Sequence, residues 1–502
     1  MTPHLTWHDY AVLAVFFVGQ FFIGAYFTRR AKSTDVIFLG SRNVVWWAAG
    51  LSIFGTAISA ITYLAIPATA YDTNWSTLIF NLGTLFLAPF VALVYLPRLR
   101  LANLTTAYEY LEQRFNLFAR FYGVAVFFTF QFGRMGFMLY LPAIVLHTAT
   151  GMSIYYSILT MGIITTIYTV MGGIEAVIWT DVLQTVLIVG CAFMALWLVY
   201  TGVDGGPSEV FRLAREQNKF EVFTWSLDLT TASILVVFVG GIFANAYPMM
   251  ADQTVVQKYL TTSSPKNAAK AAWTNAALTL PIQLIFLGLG TGLWAYYRQH
   301  PQELNSDLPK DAILPQFVMQ HFPFGWKGAL IAAVFAASMS SLASSINSLA
   351  TVSVNDIYRR FAANASEQRE LLIARILTTV YGVIGTTSAL FVAVYFKGKV
   401  IFEPYLAFLG LVGGGLAAIY VLGTCTKRAN GTGVIAGAIA SALTVVVLRL
   451  GPFQIGSLVI RAPEVHPLMN ACIAFTICFV VGYAVSLLVP KPQSSVESAK
   501  SQ

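Results

Sequence analysis

Apolar residues run along this chain in blocks of about twenty, the length at which a helix crosses the hydrocarbon core of a bilayer. The blocks fall at roughly 9–28, 44–66, 76–97, 119–147, 153–171, 176–202, 232–250, 270–297, 325–353, 372–395, 402–424, 432–450 and 467–489. They predict an all-α polytopic membrane protein of about thirteen spans, one transmembrane domain over 1–490. The first block lacks a small-residue cleavage site and reads as a span, not a signal peptide. The longest connections, near 203–231 and 298–324, are of mixed charge, and the polar tail 491–502 is expected to be disordered.

Composition agrees: 57% of the 502 residues are hydrophobic and 10% charged, against roughly 25% charged in soluble domains. The net charge of +8 comes from Lys and Arg in short loops beside the spans, so it argues for no nucleic-acid partner. Nineteen of these cations fall on one side of the predicted topology and nine on the other. The positive-inside bias then puts the N-terminus outside and the C-terminus in the cytoplasm. Cys191, Cys425, Cys472 and Cys478 lie in or at the ends of apolar blocks with no C-x-x-C pair, and read as small core residues.

Polar residues inside the blocks carry the chemistry. The block LIAAVFAASMSSLASSINSLATVSVNDIY (330–358) is free of charge until Asp356 yet rich in serine. Ala337, Ser340, Ser341 and Ser344 share one helix face at i, i+3, i+4 and i+7. Such a stripe fits two readings: oxygen ligands for a hard cation such as Na⁺, or small residues that let helices approach closely. Arg134 sits within the fourth span, where a guanidinium is costly and its fork suits a carboxylate; a structural ion pair is the other reading. Ser59 and Thr62 share a face of the second span, beside the carbonyls of Gly55 and Ile58 that unwinding near Gly55 would free. Asp181 enters the sixth span just after Gly172–Gly173, which is expected to break the chain.

Two spans are interrupted at corresponding places, five spans apart. The second carries Gly50, Gly55 and Pro67; the seventh carries Gly240, Gly241 and Pro248. Paired interruptions of this kind point to a transporter built from two inverted repeats, here about 44–202 and 232–424.

Four segments, TTAYEYLEQRF (105–115), GGIEAVIWTDVLQ (172–184), DQTVVQKYL (252–260) and FAASMSSLASSINS (335–348), together resemble the sodium:solute symporter family, which includes the sodium/glucose cotransporters. The resemblance implies a LeuT-like core of 5+5 helices, with one extra N-terminal and two extra C-terminal spans. It implies Na⁺ between the second and ninth spans, on the carbonyls of Gly55, Ile58 and Ala337 and the hydroxyls of Ser340 and Ser341. Asp181 and Ser344 match the places of an additional Na⁺ found in some members, although Ala343 stands where those members carry a serine. Within the family the chain is most similar to the bacterial sialic-acid symporters. That likeness implies a substrate pocket of Ser59, Thr62, Thr77, Asn81 and Arg134, with arginine on the carboxylate. Asn81 and Thr77 depart from that branch, which has glutamine and phenylalanine there.

The expected function is therefore Na⁺-coupled import, by alternating access, of a small organic solute, foremost a sugar acid such as N-acetylneuraminate, across the cell inner membrane. A neutral sugar or polyol, or a small monocarboxylate, is the alternative within the class. No catalytic pair accompanies Glu175 or Asp181, so an enzyme is not expected. A channel would need a continuous polar path, and a sensor a signalling domain that the short tail does not supply.

Overall fold

In a computed structural model the chain is described over residues 5–222, 225–305, 307–362, 364–395, 402–449, 453–455, 458–460 and 465–489. The tail predicted to be disordered, 491–502, lies outside the described residues. The first helices are α1 (Trp7–Thr28), α2 (Thr34–Leu39), α3 (Trp46–Ala57), α4 (Ala60–Asp72) and α5 (Thr77–Phe90). After a π-turn over Val91–Tyr95 come α6 (Leu96–Leu101), α7 (Ala107–Arg114), α8 (Leu117–Thr150), α9 (Ile154–Gly202) and α10 (Gly206–Glu216). The second half holds α11 (Ile234–Met250), α12 (Gln253–Leu260), α13 (Pro265–Gln299), α14 (Ile313–His321), α15 (Trp326–Val352), α16 (Arg359–Phe361), α17 (Glu367–Tyr395), α18 (Phe402–Cys425), α19 (Gly431–Arg449) and α20 (Met469–Leu488). A short antiparallel hairpin, β1 (Phe453–Ile455) with β2 (Leu458–Ile460), separates the last two helices. Among the described residues nine helices are long and apolar enough to cross a membrane, or eleven when each of two bent pairs counts as one span.

The bent pairs are α3–α4, at 57°, and α11–α12, at 54°. They are the two spans expected to be interrupted, but the breaks lie elsewhere than the glycines suggested. Gly55 is helical; the chain leaves the helix at Ile58 (φ −79°, ψ 84°) and restarts at Ala60 with Ser59 as N-cap. Gly55 instead lets α3 approach α9, because a Cβ there would collide with the Thr185 hydroxyl. Likewise α11 runs unbroken through Gly240, Gly241 and Pro248 and turns only at Ala251–Asp252. Gly241 and Gly83 allow a backbone-to-backbone crossing of α11 and α5: a Cβ on either would lie 2.6 Å from the other helix. Glycine in membrane helices serves contact as often as interruption, and its spacing alone does not separate the two.

Helix α9 is 49 residues long, about 73 Å if straight, over twice a bilayer core. It is two helices joined at Gly173 (φ 59°, ψ −149°), where the Gly–Gly pair was expected to break the chain. Every residue of α15 from Gly328 to Val352 is buried, so this serine-rich helix is the centre of the bundle, packed against α1, α8, α9 and α17. Its Ser345 and Ser348 hydroxyls bond back to the carbonyls of Ser341 and Ser344, within their own helix; Ser345 also reaches Gln131 of α8.

Gly173 occupies a backbone region open essentially to glycine alone, and a Cβ there would stand 2.7 Å from the Ile37 carbonyl oxygen. Gly173→Ala should therefore lower stability by about 1–3 kcal/mol, read as a fall in the unfolding midpoint in detergent. An unchanged midpoint would show that the α2–α9 contact tolerates a side chain.

Candidate functional site

The α3–α4 break, α15 and the α11–α12 break meet in the interior. At the first break Ile58 N still bonds Phe54 O, but Ser59 N turns to Ala57 O at 3.0 Å, so the Gly55 carbonyl loses its helical donor. Thr62 N turns to Ser59 Oγ at 3.3 Å, and the Ile58 carbonyl loses its own. Ser341 of α15 donates to the Thr56 carbonyl at 3.2 Å, bringing the serine stripe against the break. Ser340 Oγ is buried and makes no hydrogen bond among the described residues. Neutral oxygens without donors are the chemistry that Na⁺ requires when it sheds its water, and Ala57 and Ile58 at the break line a cavity. Ser341 thus meets the break at Thr56, with Ser340 beside it in sequence and Ala337 one turn back along α15.

A buried cation already stands one step away. Lys258 Nζ of α12 contacts Asp181 Oδ2 at 2.8 Å, Thr56 Oγ1 at 2.5 Å and the Ser52 carbonyl at 3.1 Å, and both charged side chains are wholly buried. Ser52 donates to the same carboxylate oxygen at 2.5 Å, and Ser344 Oγ lies 3.1 Å from Thr56 Oγ1. Asp181 and Ser344, the pair implied for an additional Na⁺, therefore share their neighbourhood with an ammonium. Lys258 had counted as a loop cation in the charge asymmetry. All eight residues of α12 are buried instead, because the bend after α11 returns this segment into the bundle.

Arg134 is part of a second buried link. Its Nη1 lies 3.5 Å from Asp252 Oδ2 and its guanidinium 5.4 Å from the Phe130 ring centre. Asp252, the N-cap of α12, also accepts from Thr254 N and Gln131 Nε2, and Gln131 in turn accepts from Ser345 of α15. Asp252 and Lys258 thus tie α12 to α8 and α9 respectively, through ion pairs.

A cavity of about 220 Å³ opens beside these links, between α3, α4, α5, α11, α12 and α13. Its polar wall is neutral: Thr62, Asn81, Thr84, Asn245, Asn275, Thr279 and Gln283. Of the predicted substrate residues, Thr62 and Asn81 line it, and Ser59 joins through a 3.1 Å contact with Thr62. Arg134 and Thr77 do not line it. The Thr77 hydroxyl is buried with no hydrogen-bond partner among the described residues. Toward the far end of α13 the helices close over the cavity: Tyr63 meets Phe286 edge-on, and Trp75 donates to Thr291 at 2.9 Å. Toward the start of α13 the cavity reaches Val255 and Asn275.

Lys258, Asp252 and the α13 residues were not singled out from the sequence. Asn275, Thr279 and Gln283 stand at i, i+4 and i+8, the same kind of polar stripe that drew attention to the ninth span. Lys258 and Asp252 carry no such signal, because only the bend turns them inward.

The sodium:solute symporter family model matches residues 37–441. The sodium/sialic acid symporter NanT of Aliivibrio fischeri is 36% identical over 88% of this chain and 87% of its own length. The sodium/sialic acid symporter SiaT of Proteus mirabilis is 35% identical over 88% and 90%. A solved Na⁺-coupled sialic acid symporter, substrate-bound and outward-open, superposes with a TM-score of 0.89 at 33% identity, covering 97% of this chain and 99% of that one. The nucleobase-cation-symport transporter MHP1 superposes at 0.56 with 13% identity over 92% and 97%, a likeness of fold alone. The architecture is the LeuT-like one of Na⁺-coupled transporters, and this multi-pass membrane chain belongs to the sodium:solute symporter family.

Proposed function

We propose that the chain imports a sugar acid of the sialic-acid type, N-acetylneuraminate, with Na⁺. The observation that carries this reading is its similarity, over 88% of the chain, to two symporters of that named activity. The site supports it by joining ion binding to substrate binding at one point. Ser341 holds the α3–α4 break, and the same break begins α4 with Ser59 and Thr62. Na⁺ on Gly55, Ile58, Ala337, Ser340 and Ser341 would fix the break and so position Ser59 and Thr62 for the substrate. A ligand shifts a conformational equilibrium only by its differential affinity for the two states, and a cation that bridges α15 to the break has one.

The domain reading goes with it: a single transporter domain over 1–490, with repeats at 44–202 and 232–424 and about thirteen spans. The Lys- and Arg-rich side faces the cytoplasm, the N-terminus lies outside, and the membrane is the cell inner membrane. Moving Lys258 to the interior leaves that asymmetry in place. In this orientation the Tyr63–Phe286 and Trp75–Thr291 contacts lie on the outer side of the cavity, and we take this arrangement as the one that releases substrate.

Arg134 takes the substrate carboxylate in this reading, and in the release geometry Asp252 replaces that carboxylate as its partner. A second reading is favoured by one observation: among the described residues no charged side chain lines the cavity, which suits a neutral sugar or polyol. Proteoliposomes with an inward Na⁺ gradient should accumulate radiolabelled N-acetylneuraminate, and choline in place of Na⁺ should abolish uptake. Arg134→Ala should abolish it too. Uptake of the acid that survives Arg134→Ala would leave Arg134 a structural partner of Asp252.

For Na⁺, Ser340→Ala or Ser341→Ala should raise the half-saturating Na⁺ concentration about tenfold, as loss of about 1.4 kcal/mol predicts. Unchanged Na⁺ dependence in both would remove these serines from the site. Asp181 and Ser344 form no free second site while Lys258 holds the carboxylate, and we assign one Na⁺ to this state. Lys258→Met leaves Asp181 buried and unpaired and should cost about 3–5 kcal/mol of stability. Adding Asp181→Asn should restore most of it, in a double-mutant comparison of unfolding in detergent. Additive losses would contradict the pairing.

A further inference from the structure

The α13 stripe faces the cavity with two unmet polar groups. Gln283 and Asn275 are 3% and 4% exposed, and both line the cavity. Asn81 Nδ2 donates to Gln283 Oε1 at 2.8 Å, which fixes the Gln283 side chain against the opposite wall. Gln283 Nε2 and Asn275 Oδ1 are buried with no hydrogen-bond partner among the described residues. Whichever way round the two paired amides are set, one polar end of Gln283 stays open. Buried polar groups in native proteins are nearly always paired, and leaving one unmet is costly. Two in one cavity wall are the mark of a ligand that completes them.

We propose that Gln283, oriented by Asn81, is a substrate-binding residue of this transporter, and that with Asn275 it reads the uncharged arm of the substrate. The inference rests on the sugar-acid reading above and sharpens it. Gln283 offers a donor, which a hydroxyl or an acylamino carbonyl accepts. Asn275 offers an acceptor, which a hydroxyl or an amide N–H meets. The two positions are eight residues apart, about 12 Å along the helix axis. A long polyhydroxylated, acylamino-bearing acid reaches from one toward the other. A short monocarboxylate with its charge on Arg134 has neither the length nor the groups. Asn81 is then a positioning residue, because it acts on substrate through Gln283.

The test is Na⁺-driven uptake of N-acetylneuraminate by the full chain in proteoliposomes, comparing Gln283→Ala and the near-isosteric Gln283→Met with wild type. Both should raise KM about tenfold, leave the maximal rate within about twofold and leave the half-saturating Na⁺ concentration, read at saturating substrate, unchanged. A merely structural residue would lower the maximal rate and shift the Na⁺ dependence with it. Asn81→Ala should raise KM in the wild type and add little in the Gln283→Ala background. Excess short monocarboxylate should not compete in wild type. Unchanged KM in Gln283→Met, with wild-type uptake intact, overturns this inference and leaves the sugar-acid reading standing. Failure of the wild type to take up N-acetylneuraminate overturns both.

Discussion

Unsatisfied backbone in a membrane is the constraint on which this structure turns. A helix can stop in the middle of a bilayer only where protein or a bound ion replaces the lost hydrogen bonds. At the α3–α4 break the replacements are Ser59 for the Thr62 amide and Ser341 for the Thr56 carbonyl. The carbonyls of Gly55 and Ile58 lose their helical donors, and in the proposed function a cation takes their place. The break is therefore a point where binding and local conformation are the same event, as symport demands. The second break solves its problem with charge: Asp252 caps α12, and Lys258 reaches back to α9 and to the Ser52 carbonyl near the first break.

These links make α12 the element that connects the two breaks. Lys258 touches Thr56 at the first break, and Asp252 holds Arg134 of α8. A shift of α12 changes the partners of both charges together. Buried ion pairs add little to stability against an apolar alternative, yet breaking one by removing a single partner is severe. That asymmetry favours discrete arrangements over gradual ones, which suits alternation between two states.

Much of this was legible in the sequence because membrane burial leaves a strong signature. Apolar length placed the spans, and helical periodicity put Ala337, Ser340, Ser341 and Ser344 on one face. Paired interruptions named the two bent spans. The exact breaks were not legible: Gly55 and Gly241 signal close approach and unwinding alike, and packing decides between them. Lys258 was misplaced because a lysine after a span reads as a loop cation until the 54° bend is known. Arg134 lies within a span as the sequence suggested, part-buried, but its partner Asp252 lies 118 residues away in sequence, beyond any local pattern.

Coupled transport by this chain requires that Na⁺ at the α3–α4 break and substrate in the adjoining cavity stabilise one another. Linkage makes this reciprocal: Na⁺ must tighten substrate binding by the same factor by which substrate tightens Na⁺ binding. The direct measurement is equilibrium binding to purified protein in detergent, of N-acetylneuraminate at low and saturating Na⁺ and of ²²Na⁺ with and without N-acetylneuraminate. The expected result is equal enhancement in the two directions, and its loss in Ser341→Ala. Substrate affinity independent of Na⁺ would contradict the coupling.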